Sequence, residues 1–348
     1  MDSTGESREL AEAVSALLGR TQRPSDLQIK PIEGGRNNRV FRVDCAGKPL
    51  LLKSYFSNEA DRRDRFAAEH GFYDFLEACG SRQNPKPVAW DSSRRLGLFS
   101  FIEGRKLDAG EIDESAVDAA LSFFSAINGC RDSVAAKRLD DASEACFSVD
   151  AHLALVGARV ERIGKIAPDS ETSTRALLLV RDRLAPVWLS VRDAATSGCE
   201  RAGISPTLEL SAEERCISPS DFGFHNAIRR DDGTLIFFDF EYAGWDDPAK
   251  LASDFFCQQH KPVPLKFRVR VVEGIAATLG DSSGIAARAA LLLPVYQVKW
   301  CCIILNDFLT ADSARRAFAE RGVSSKDRKS RQLAAADRLL DRIEVQPR

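Results

Sequence analysis

A predicted β-hairpin within residues 216–248 (CISPSDFGFHNAIRRDDGTLIFFDFEYAGWDDP) constrains the fold of this chain more than any other feature. Two runs of strand-forming residues, 227–230 and 234–238, flank the pair Asp232-Gly233. An Asp-Gly pair between two such runs is a strong hairpin signal, because both residues tolerate the left-handed backbone that a two-residue turn requires. The sequence therefore predicts two antiparallel strands joined at Asp232-Gly233.

Three polar side chains flank this hairpin. A two-residue turn would place Asn226 opposite Asp239, with Cα atoms about 4.5–5.5 Å apart and both side chains on one face. An amide oxygen and a carboxylate in that arrangement suit Mg²⁺, which binds through few protein oxygens together with phosphates. Asp221 lies five residues before Asn226, in a loop that could overlook the same ion. The alternatives are a turn of three or four residues, which would change the register, and a structural role, since Asp and Asn are common in turns.

Length and charge indicate a two-domain or bilobal enzyme rather than a nucleic-acid-binding protein. The 348 residues are enough to bury sizeable cores. A formal net charge of −2 gives no support for a polyanionic partner. The nine cysteines form no C-x-x-C pair, and with only four histidines they argue against a zinc site. Unpatterned thiols of this kind are typical of a reducing compartment.

The sequence also predicts where the protein resides. The N-terminus lacks the basic and apolar regions of a signal peptide. The most apolar region, residues 285–305, is interrupted by Arg288, Pro294 and Lys299, so it predicts a buried helix pair rather than a membrane span. We therefore expect a cytoplasmic protein with no membrane association, and no obligate protein partner is evident.

A glycine pair lies in the N-terminal third, where residues 29–56 predict strands. Gly34 and Gly35 would let the backbone approach phosphate oxygens closely and present N–H groups to them. As a nucleotide signal this is weak, because the segment is not G-x-G-x-x-G and a Gly-Gly pair before a strand is common in simple turns.

Lys53 and Glu69 add to this signal. Lys53 lies inside an apolar strand, where an unpaired ammonium would be costly. Glu69 lies three residues before Phe72 on the inward face of a helix predicted at residues 61–79. A carboxylate on that face could pair with Lys53. The alternative is that Glu69 pairs with Arg65 one turn earlier and Lys53 points to solvent.

The spacing Asp221-x4-Asn226, with Asp239 eighteen residues after Asp221, resembles the catalytic segment of the aminoglycoside phosphotransferase and choline kinase family of protein-kinase-like small-molecule kinases. The order of glycine-rich turn, lysine, helical glutamate, catalytic loop and metal aspartate extends the resemblance over residues 29–255. It implies an α+β, protein-kinase-like bilobal fold, with an antiparallel-sheet N-lobe (residues 1–103) and a mainly helical C-lobe (residues 104–348).

The resemblance implies a role for each matching residue. Asp221 matches the catalytic base, while Asn226 and Asp239 match the ligands of Mg²⁺. Lys53 would contact the nucleotide α- and β-phosphates, and Glu69 would orient it. Further nucleotide-binding positions come from the glycine-rich turn and from the strand at residues 95–104, whose backbone would hold the adenine edge: Gly34, Gly35, Asn38 and Ile102.

The predicted reaction transfers the γ-phosphoryl group of ATP, with GTP not excluded, to a hydroxyl of a small molecule. An amino alcohol, a sugar and an aminoglycoside all remain open as the acceptor. Glu241, Asp246 and Asp247 follow the metal aspartate and could line a pocket for a cationic or polyhydroxylated acceptor. The alternative is that they stabilise a loop and cap the following helix.

Two departures from the family pattern motivate a second hypothesis. Pro219 stands where the family usually has a histidine, two residues before Asp221, and Leu251 stands where an acid is expected. The alternative function is a nucleotide-binding regulatory module with little or no turnover. The joint presence of the lysine, the base and both metal ligands argues against it. Phosphorylation of a protein is a weaker alternative, because no segment ending in Ala-Pro-Glu follows Asp239.

Overall fold

The computed structural model describes residues 3–32, 38–45, 47–56, 64–280, 284–309 and 325–344. Its N-terminal part contains an antiparallel sheet of β1 (Gln28–Ile32), β2 (Arg39–Cys45), β3 (Lys48–Ser54), β4 (Pro87–Asp91) and β5 (Leu96–Ser100). The spatial order of the strands is β1-β2-β3-β5-β4. The predicted antiparallel-sheet N-lobe is confirmed.

Two helices accompany this sheet. Helix α1 (Ser3–Leu17) packs Val14 into a small core with residues of the sheet such as Leu52. Helix α2 (Arg65–Ala78) follows β3 and begins at Asp64, whose carboxylate accepts a hydrogen bond from the N–H of Ala67. Such a cap satisfies one of the free N–H groups at a helix start. Helix α2 buries one face, including Glu69, against the rest of the protein.

The remainder of the described chain is mainly helical, as expected for the C-lobe. Its helices are α3 (Glu114–Asn128), α4 (Val149–Ile163), α5 (Glu171–Leu179), α6 (Ala185–Ala202), α7 (Pro248–Cys257), α8 (Arg268–Leu279), α9 (Ile285–Leu305) and α10 (Ser325–Leu340). The resulting fold is the predicted protein-kinase-like one. The domain boundary near Glu103 stays a prediction.

Helix α9 corrects one expectation. The apolar region predicted as a helix pair is one continuous helix that accommodates Pro294 in its interior. Residues Ile285–Phe308 are long and apolar enough to cross a membrane, but 72% of the apolar window is buried inside the protein. Helix α9 packs against α4, α6, α7 and α10. It therefore serves as a core helix here, and a single helix of this kind is weak evidence for a membrane span.

Two short two-stranded sheets lie between α6 and α7. Strand β6 (Cys216–Ser218) pairs with β9 (Gly244–Asp246), and β7 (Ala227–Arg229) pairs with β8 (Leu235–Phe237). An apolar core continues from α2 into the C-lobe, because the ring of Phe72 lies 5.0 Å from that of Phe240, which faces Phe123 at 6.1 Å. The segment that joins β8 to β9, which contains Phe240, therefore packs against both lobes.

Candidate active site

The β7–β8 hairpin forms with a different turn from the predicted one. Arg230 pairs with Thr234, since its N–H donates to the Thr234 carbonyl at 3.0 Å, so the loop has three residues and ends at Gly233 with φ 86°. The strand register therefore differs by one position from the predicted one. The backbone carbonyl of Asn226 accepts the N–H of Phe238 at 3.0 Å. The prediction that Asn226 lies directly opposite Asp239 is therefore wrong. Asp239 follows the partner of Asn226 by one residue.

Asp221 is the centre of a group of polar side chains. Gln258 donates to its Oδ1 at 2.8 Å, and the Nε2 of His225 lies 3.3 Å from the same oxygen. The amide of Asn226 donates to the Asp221 carbonyl at 3.0 Å. Burial alone would raise the pKa of Asp221, but His225, Gln258 and Asn226 together lower it to about 2. Asp221 is thus a carboxylate at neutral pH, and its side chain keeps 33% of its surface exposed.

Lys53 joins the N-lobe to the hairpin. Its ammonium, on β3, lies 2.6 Å from Glu69 Oε2 on α2 and also pairs with Asp239. The second oxygen of Glu69 accepts the N–H of Phe240 at 3.0 Å. Burial opposes the charge on Lys53, yet the surrounding carboxylates raise its pKa above the ordinary value. The structure therefore has the inward Lys53–Glu69 pair rather than the Arg65–Glu69 alternative.

Glu241 belongs to this same cluster. Its carboxylate accepts from the amide of Asn38 and lies 4.0 Å from Lys53 and 3.8 Å from Arg65. Burial and the neighbouring Asp239 raise its pKa to about 7. The side-chain amide of Asn38 uses both its donor and its acceptor, because its Oδ1 also accepts the N–H of Phe56 at 3.0 Å. Glu241 therefore lies beside the lysine, and Asn38 positions it.

The charge of this cluster suits an added cation. Two cationic side chains, Lys53 and Arg65, face three carboxylates, those of Glu69, Asp239 and Glu241. Burial of an uncompensated carboxylate is costly. Within the described residues, no group of three or more His, Cys, Asp or Glu has the geometry of a metal cage. An ion held by one carboxylate, one amide and phosphate oxygens needs no such cage.

Asp246 and Asp247 occupy a different environment. Both side chains are fully buried. Asp246 pairs with Lys250 at 2.5 Å, and Asp247 caps α7 by accepting the N–H of Ala249 at 2.7 Å. Asp247 also pairs with Arg288. The structure thus shows the capping arrangement that the sequence left as an alternative, and it does not bring these two carboxylates beside Asp221.

The remaining predicted positions concern the nucleotide. Gly34 and Gly35 lie outside the described residues. Ile102 is buried directly after β5, in the segment that links the sheet to the helical part. Two residues on, Gly104 has φ 144°, and a β-carbon there would meet a backbone oxygen of β7 at 2.4 Å. The linker is therefore held against the hairpin that precedes Asp239.

Two of the five non-glycine residues with positive φ in the described part of the chain lie at the two aspartates. Ser220, immediately before Asp221, has φ 64°, and Asp239 itself has φ 70°. Left-handed conformations in residues other than glycine cost about 1–3 kcal/mol and persist where the surroundings hold them. Such strain clusters at functional sites. The strain at Ser220 thus lies next to the residue that carries the predicted base, and the strain at Asp239 lies at the predicted metal ligand itself.

Sequence reasoning missed several members of the site. Gln258 was missed because it meets Asp221 across 37 residues, and Asn38, which was predicted as a nucleotide-binding residue, was not foreseen as the partner of Glu241, 203 residues away. His225 was open to prediction, because it lies four residues after Asp221 in the same loop. Lys106 was missed as well. Its ammonium donates to the His225 carbonyl at 2.8 Å.

With the geometry established, comparison with known proteins identifies the family. Residues 28–289 match the model of the APH family, described as the phosphotransferase enzyme family. The chain belongs to this family. It is therefore a phosphotransferase of the small-molecule kinase type, and the predicted family and enzyme class are confirmed. Among curated proteins the comparison finds no match.

Solved structures show the same fold for this phosphotransferase. An ethanolamine kinase from Plasmodium vivax has a TM-score of 0.59 at 13% identity, covering 97% of this chain and 89% of that chain. A choline kinase from Streptococcus pneumoniae has a TM-score of 0.56 at 15% identity, covering 97% and 99%. A spectinomycin phosphotransferase in complex with ADP and spectinomycin has a TM-score of 0.58 at 10% identity, covering 95% and 98%. At these identities the likeness concerns the fold.

Proposed function

We propose that this phosphotransferase uses Mg²⁺ to transfer the γ-phosphoryl group of ATP to a hydroxyl of a small molecule. The observation that carries the proposal is the pairing of one buried lysine, Lys53, with both Glu69 and Asp239, next to a loop that presents the Asp221 carboxylate. Phosphoryl transfer needs a cation that neutralises the phosphates, a carboxylate that binds the metal ion, and a second carboxylate that orients the acceptor hydroxyl.

On the phosphate side, Lys53 would neutralise charge on the nucleotide. Glu69 fixes the position of Lys53. Its other carboxylate oxygen accepts the N–H of Phe240, and this hydrogen bond connects α2 to the segment after β8. Asn226 and Asp239 would hold Mg²⁺, and the surplus of carboxylates around Lys53 supports that assignment. When bound, the ion supplies charge neutralisation of the triphosphate oxygens. Glu241 lies on this side of the site, so it is a weaker candidate for contact with the acceptor.

On the acceptor side, Asp221 would accept or orient the hydroxyl proton. Its low pKa keeps it ionised, and a loose transition state needs orientation more than a strong base. Gln258 and Asn226 fix the carboxylate by hydrogen bonds at 2.8 and 3.4 Å. Catalysis would then come mainly from positioning and electrostatics.

The loop that carries Asp221 is well held without the usual histidine. The hydroxyl of Ser218 accepts the N–H of Ser220 at 2.9 Å, and the Pro219 carbonyl accepts the N–H of Asp221 at 2.9 Å. Asn128 binds both backbone groups of Ile217, at 2.8 and 3.0 Å. These contacts support an active enzyme despite Pro219.

The identity of the nucleotide, the place where it binds and the cellular compartment are also parts of the proposal. The spectinomycin phosphotransferase of the same fold was solved with ADP, which supports an adenine nucleotide here, with GTP as the alternative. We place the adenine edge at the backbone near Ile102 and the phosphates near Gly34 and Gly35, as the family resemblance implies. A cytoplasmic location also stays a prediction.

The test separates binding from transfer. We expect the wild type to bind Mg-ATP in isothermal titration and to release ADP in a coupled assay when supplied with the right hydroxyl compound. Asp221→Asn should keep the Kd for Mg-ATP and lose about 10²–10⁴-fold in kcat. Asp239→Asn should instead weaken nucleotide binding only when Mg²⁺ is present.

Each other outcome has a defined meaning. Mg-ATP binding with no transfer to any acceptor would favour the regulatory module. Absence of nucleotide binding by the wild type would overturn the proposed function. Loss of Mg-ATP binding in Asp221→Asn would contradict the role given to that carboxylate.

A further inference from the structure

The imidazole of His225 lies beside the proposed catalytic base without a regular hydrogen bond. Its Nε2 is 3.3 Å from Oδ1 of Asp221. Both ring nitrogens are shielded from solvent, and within the described residues neither forms a hydrogen bond of good geometry. A buried polar group in this state costs about 1–3 kcal/mol. Such a group in a folded protein calls for an explanation, and a role in catalysis is one of the common ones.

Gly223 makes room for this imidazole. Its φ of 166° is ordinary extended backbone, so the conformation itself does not require glycine. A β-carbon at this position would lie 2.9 Å from Nδ1 of His225 and 3.2 Å from Cγ of Gln258. Gln258 donates to Oδ1 of Asp221 at 2.8 Å, the same oxygen that His225 contacts. The missing side chain of Gly223 therefore leaves space for both groups that face one oxygen of the base.

The backbone around His225 is held by contacts that do not involve its ring. The N–H of Asn226 donates to the Gly223 carbonyl at 3.1 Å, and the ammonium of Lys106 donates to the His225 carbonyl at 2.8 Å. The side-chain amide of Asn226 donates to the carbonyl of Asp221 at 3.0 Å. We therefore expect a change of the His225 ring to leave the proposed metal ligand Asn226 in place.

The two carboxylate oxygens of Asp221 differ in their surroundings. Oδ1 faces Gln258 at 2.8 Å and His225 at 3.3 Å. Oδ2 faces the amide of Asn226 at 3.4 Å, and that amide is closer to the Asp221 carbonyl, at 3.0 Å. Each oxygen of a carboxylate can accept about two hydrogen bonds. Oδ2 is therefore the oxygen with more capacity left for an acceptor hydroxyl.

From this geometry we infer that His225 is a positioning residue: its Nε2–H and the amide of Gln258 hold Oδ1 of Asp221, so that Oδ2 faces the acceptor hydroxyl. The inference rests on the proposed function and assigns the oxygen that takes the proton. An aspartate at neutral pH only accepts hydrogen bonds, so the proton of this contact belongs to Nε2. Contacts of this kind are often long or poorly aligned outside the reactive complex and tighten within it.

The step itself is the transfer already proposed. The acceptor oxygen forms a bond to the γ-phosphorus while the bond from that phosphorus to the leaving oxygen of ADP breaks. The hydroxyl proton passes to Oδ2 of Asp221. His225 and Gln258 keep their own protons throughout, because they act only on the position of the carboxylate.

Two amide substitutions test which ring nitrogen matters. Gln places its amide nitrogen where Nε2 of histidine lies, whereas Asn places its amide nitrogen where Nδ1 lies. Transfer is measured as ADP release from Mg-ATP with ethanolamine, glycerol, glucose or kanamycin as the acceptor. We expect His225→Leu and His225→Asn to lower kcat about tenfold to hundredfold, and His225→Gln to retain most of the turnover. All three should keep the wild-type Kd for Mg-ATP in isothermal titration.

A substitution at Gly223 provides the second arm. Gly223→Ala leaves the chemistry of His225 and Gln258 intact and displaces both side chains, so it should lower kcat at least as much as His225→Leu at an unchanged Kd for Mg-ATP. Gly110→Ala is the matched control, because no atom lies within 4 Å of its β-carbon. It should behave like the wild type.

A third readout needs no turnover. The chain has four histidines, so the ring signals of isotope-labelled histidine can be assigned in a nuclear magnetic resonance spectrum by the signal that His225→Gln removes. The spectrum is recorded with Mg²⁺ and a non-hydrolysable ATP analogue, at a pH above the ordinary histidine pKa of about 6.5. We expect His225 to carry a proton on Nε2, and Asp221→Asn to shift its signal.

Four outcomes would overturn the inference: unchanged kcat in His225→Leu, equal losses in His225→Gln and His225→Asn, a parallel loss of Mg-ATP binding in the His225 variants, or an Nε2 without a proton. If the wild type transfers phosphate to none of these acceptors, the position of the proton on His225 decides. Failure of the proposed function is distinguishable, because then the wild type would not bind Mg-ATP at all.

Discussion

Substitution of Asp247 tests whether this residue holds the fold or binds the acceptor. Its carboxylate is fully buried and has three partners: the N–H of Ala249 at 2.7 Å, the Nε2 of His152 at 3.1 Å, and the guanidinium of Arg288. Asp247→Asn keeps a side chain that can cap α7, since Asn is as good a cap as Asp. The variant therefore removes the charge and little else.

The magnitude follows from the pKa. The partners outweigh burial and lower the pKa of Asp247 from 3.8 to about 2, a gap that corresponds to about 2 kcal/mol of stabilisation by the ionised form. Loss of one partner of a buried ion pair costs about 3–5 kcal/mol, because the other charge stays buried. Arg288 would be that charge. We expect Asp247→Asn to lower the free energy of unfolding by about 2–4 kcal/mol.

The pH dependence gives a second readout. Because the folded pKa lies below the unfolded one, the ionised Asp247 stabilises the protein fully above about pH 4 and loses that contribution as the pH falls toward 2. In urea unfolding, the difference between the wild type and Asp247→Asn should therefore be constant from pH 7 to about 5 and shrink below pH 4.

A double variant isolates the pair. Arg288→Met in the Asp247→Asn background removes the unpaired cation, so it should restore part of the lost stability. Acceptor KM should change little in any variant that remains folded. A loss below about 1 kcal/mol, absence of coupling with Arg288, or a large rise in acceptor KM at unchanged stability would refute the structural role.

Three further predictions concern the site and its support. Lys53→Met should weaken Mg-ATP binding about tenfold or more in isothermal titration, because the carboxylates around it lose their cation; unchanged affinity would contradict its phosphate role. Gln258→Ala should lower kcat and leave the Kd for Mg-ATP unchanged, since it acts by positioning Asp221; an equal loss of nucleotide binding would argue against this. Gly104→Ala should destabilise the protein by about 2 kcal/mol in urea unfolding, because its β-carbon would lie 2.4 Å from a backbone oxygen. Gly110→Ala is the control and should be tolerated, because no atom lies within 4 Å of its β-carbon. Equal effects of the two substitutions would show that the segment around Gly104 can shift to make room for the methyl group.

Part of this site could be predicted because single residues conflict with their local surroundings. Lys53 in an apolar strand and Glu69 on the inward face of a helix both need a partner, and the structure pairs them at 2.6 Å. The antiparallel-sheet N-lobe and the mainly helical C-lobe were implied by the family resemblance, whereas the strands at residues 29–56 followed from a local pattern. For Lys53, Glu69 and these strands the signal is local to the element that carries it.

The parts that failed depend on geometry that sequence leaves open. The stretch Arg230-Asp231-Asp232-Gly233 accommodates a two-residue or a three-residue loop, and one residue of difference changes every pairing in the hairpin. Asp246 and Asp247 looked available because they follow the metal aspartate. Asp246 is neutralised locally by Lys250, four residues later, whereas His152 and Arg288, which neutralise Asp247, lie 95 and 41 residues away, and no local pattern reveals them.

The error in the hairpin register explains a feature of the site. With a three-residue loop, Asn226 pairs with Phe238, so an extended Asp239 would carry its side chain to the opposite face of the ladder from its predicted position. Asp239 instead adopts φ 70°, which redirects its carboxylate to Lys53. The left-handed residue thus compensates for the extra residue in the loop. That conformation costs about 1–3 kcal/mol. The ion pair offsets this cost, because without it the buried Lys53 would have one carboxylate partner fewer. The strain is therefore tied to the same contact on which nucleotide binding is proposed to depend.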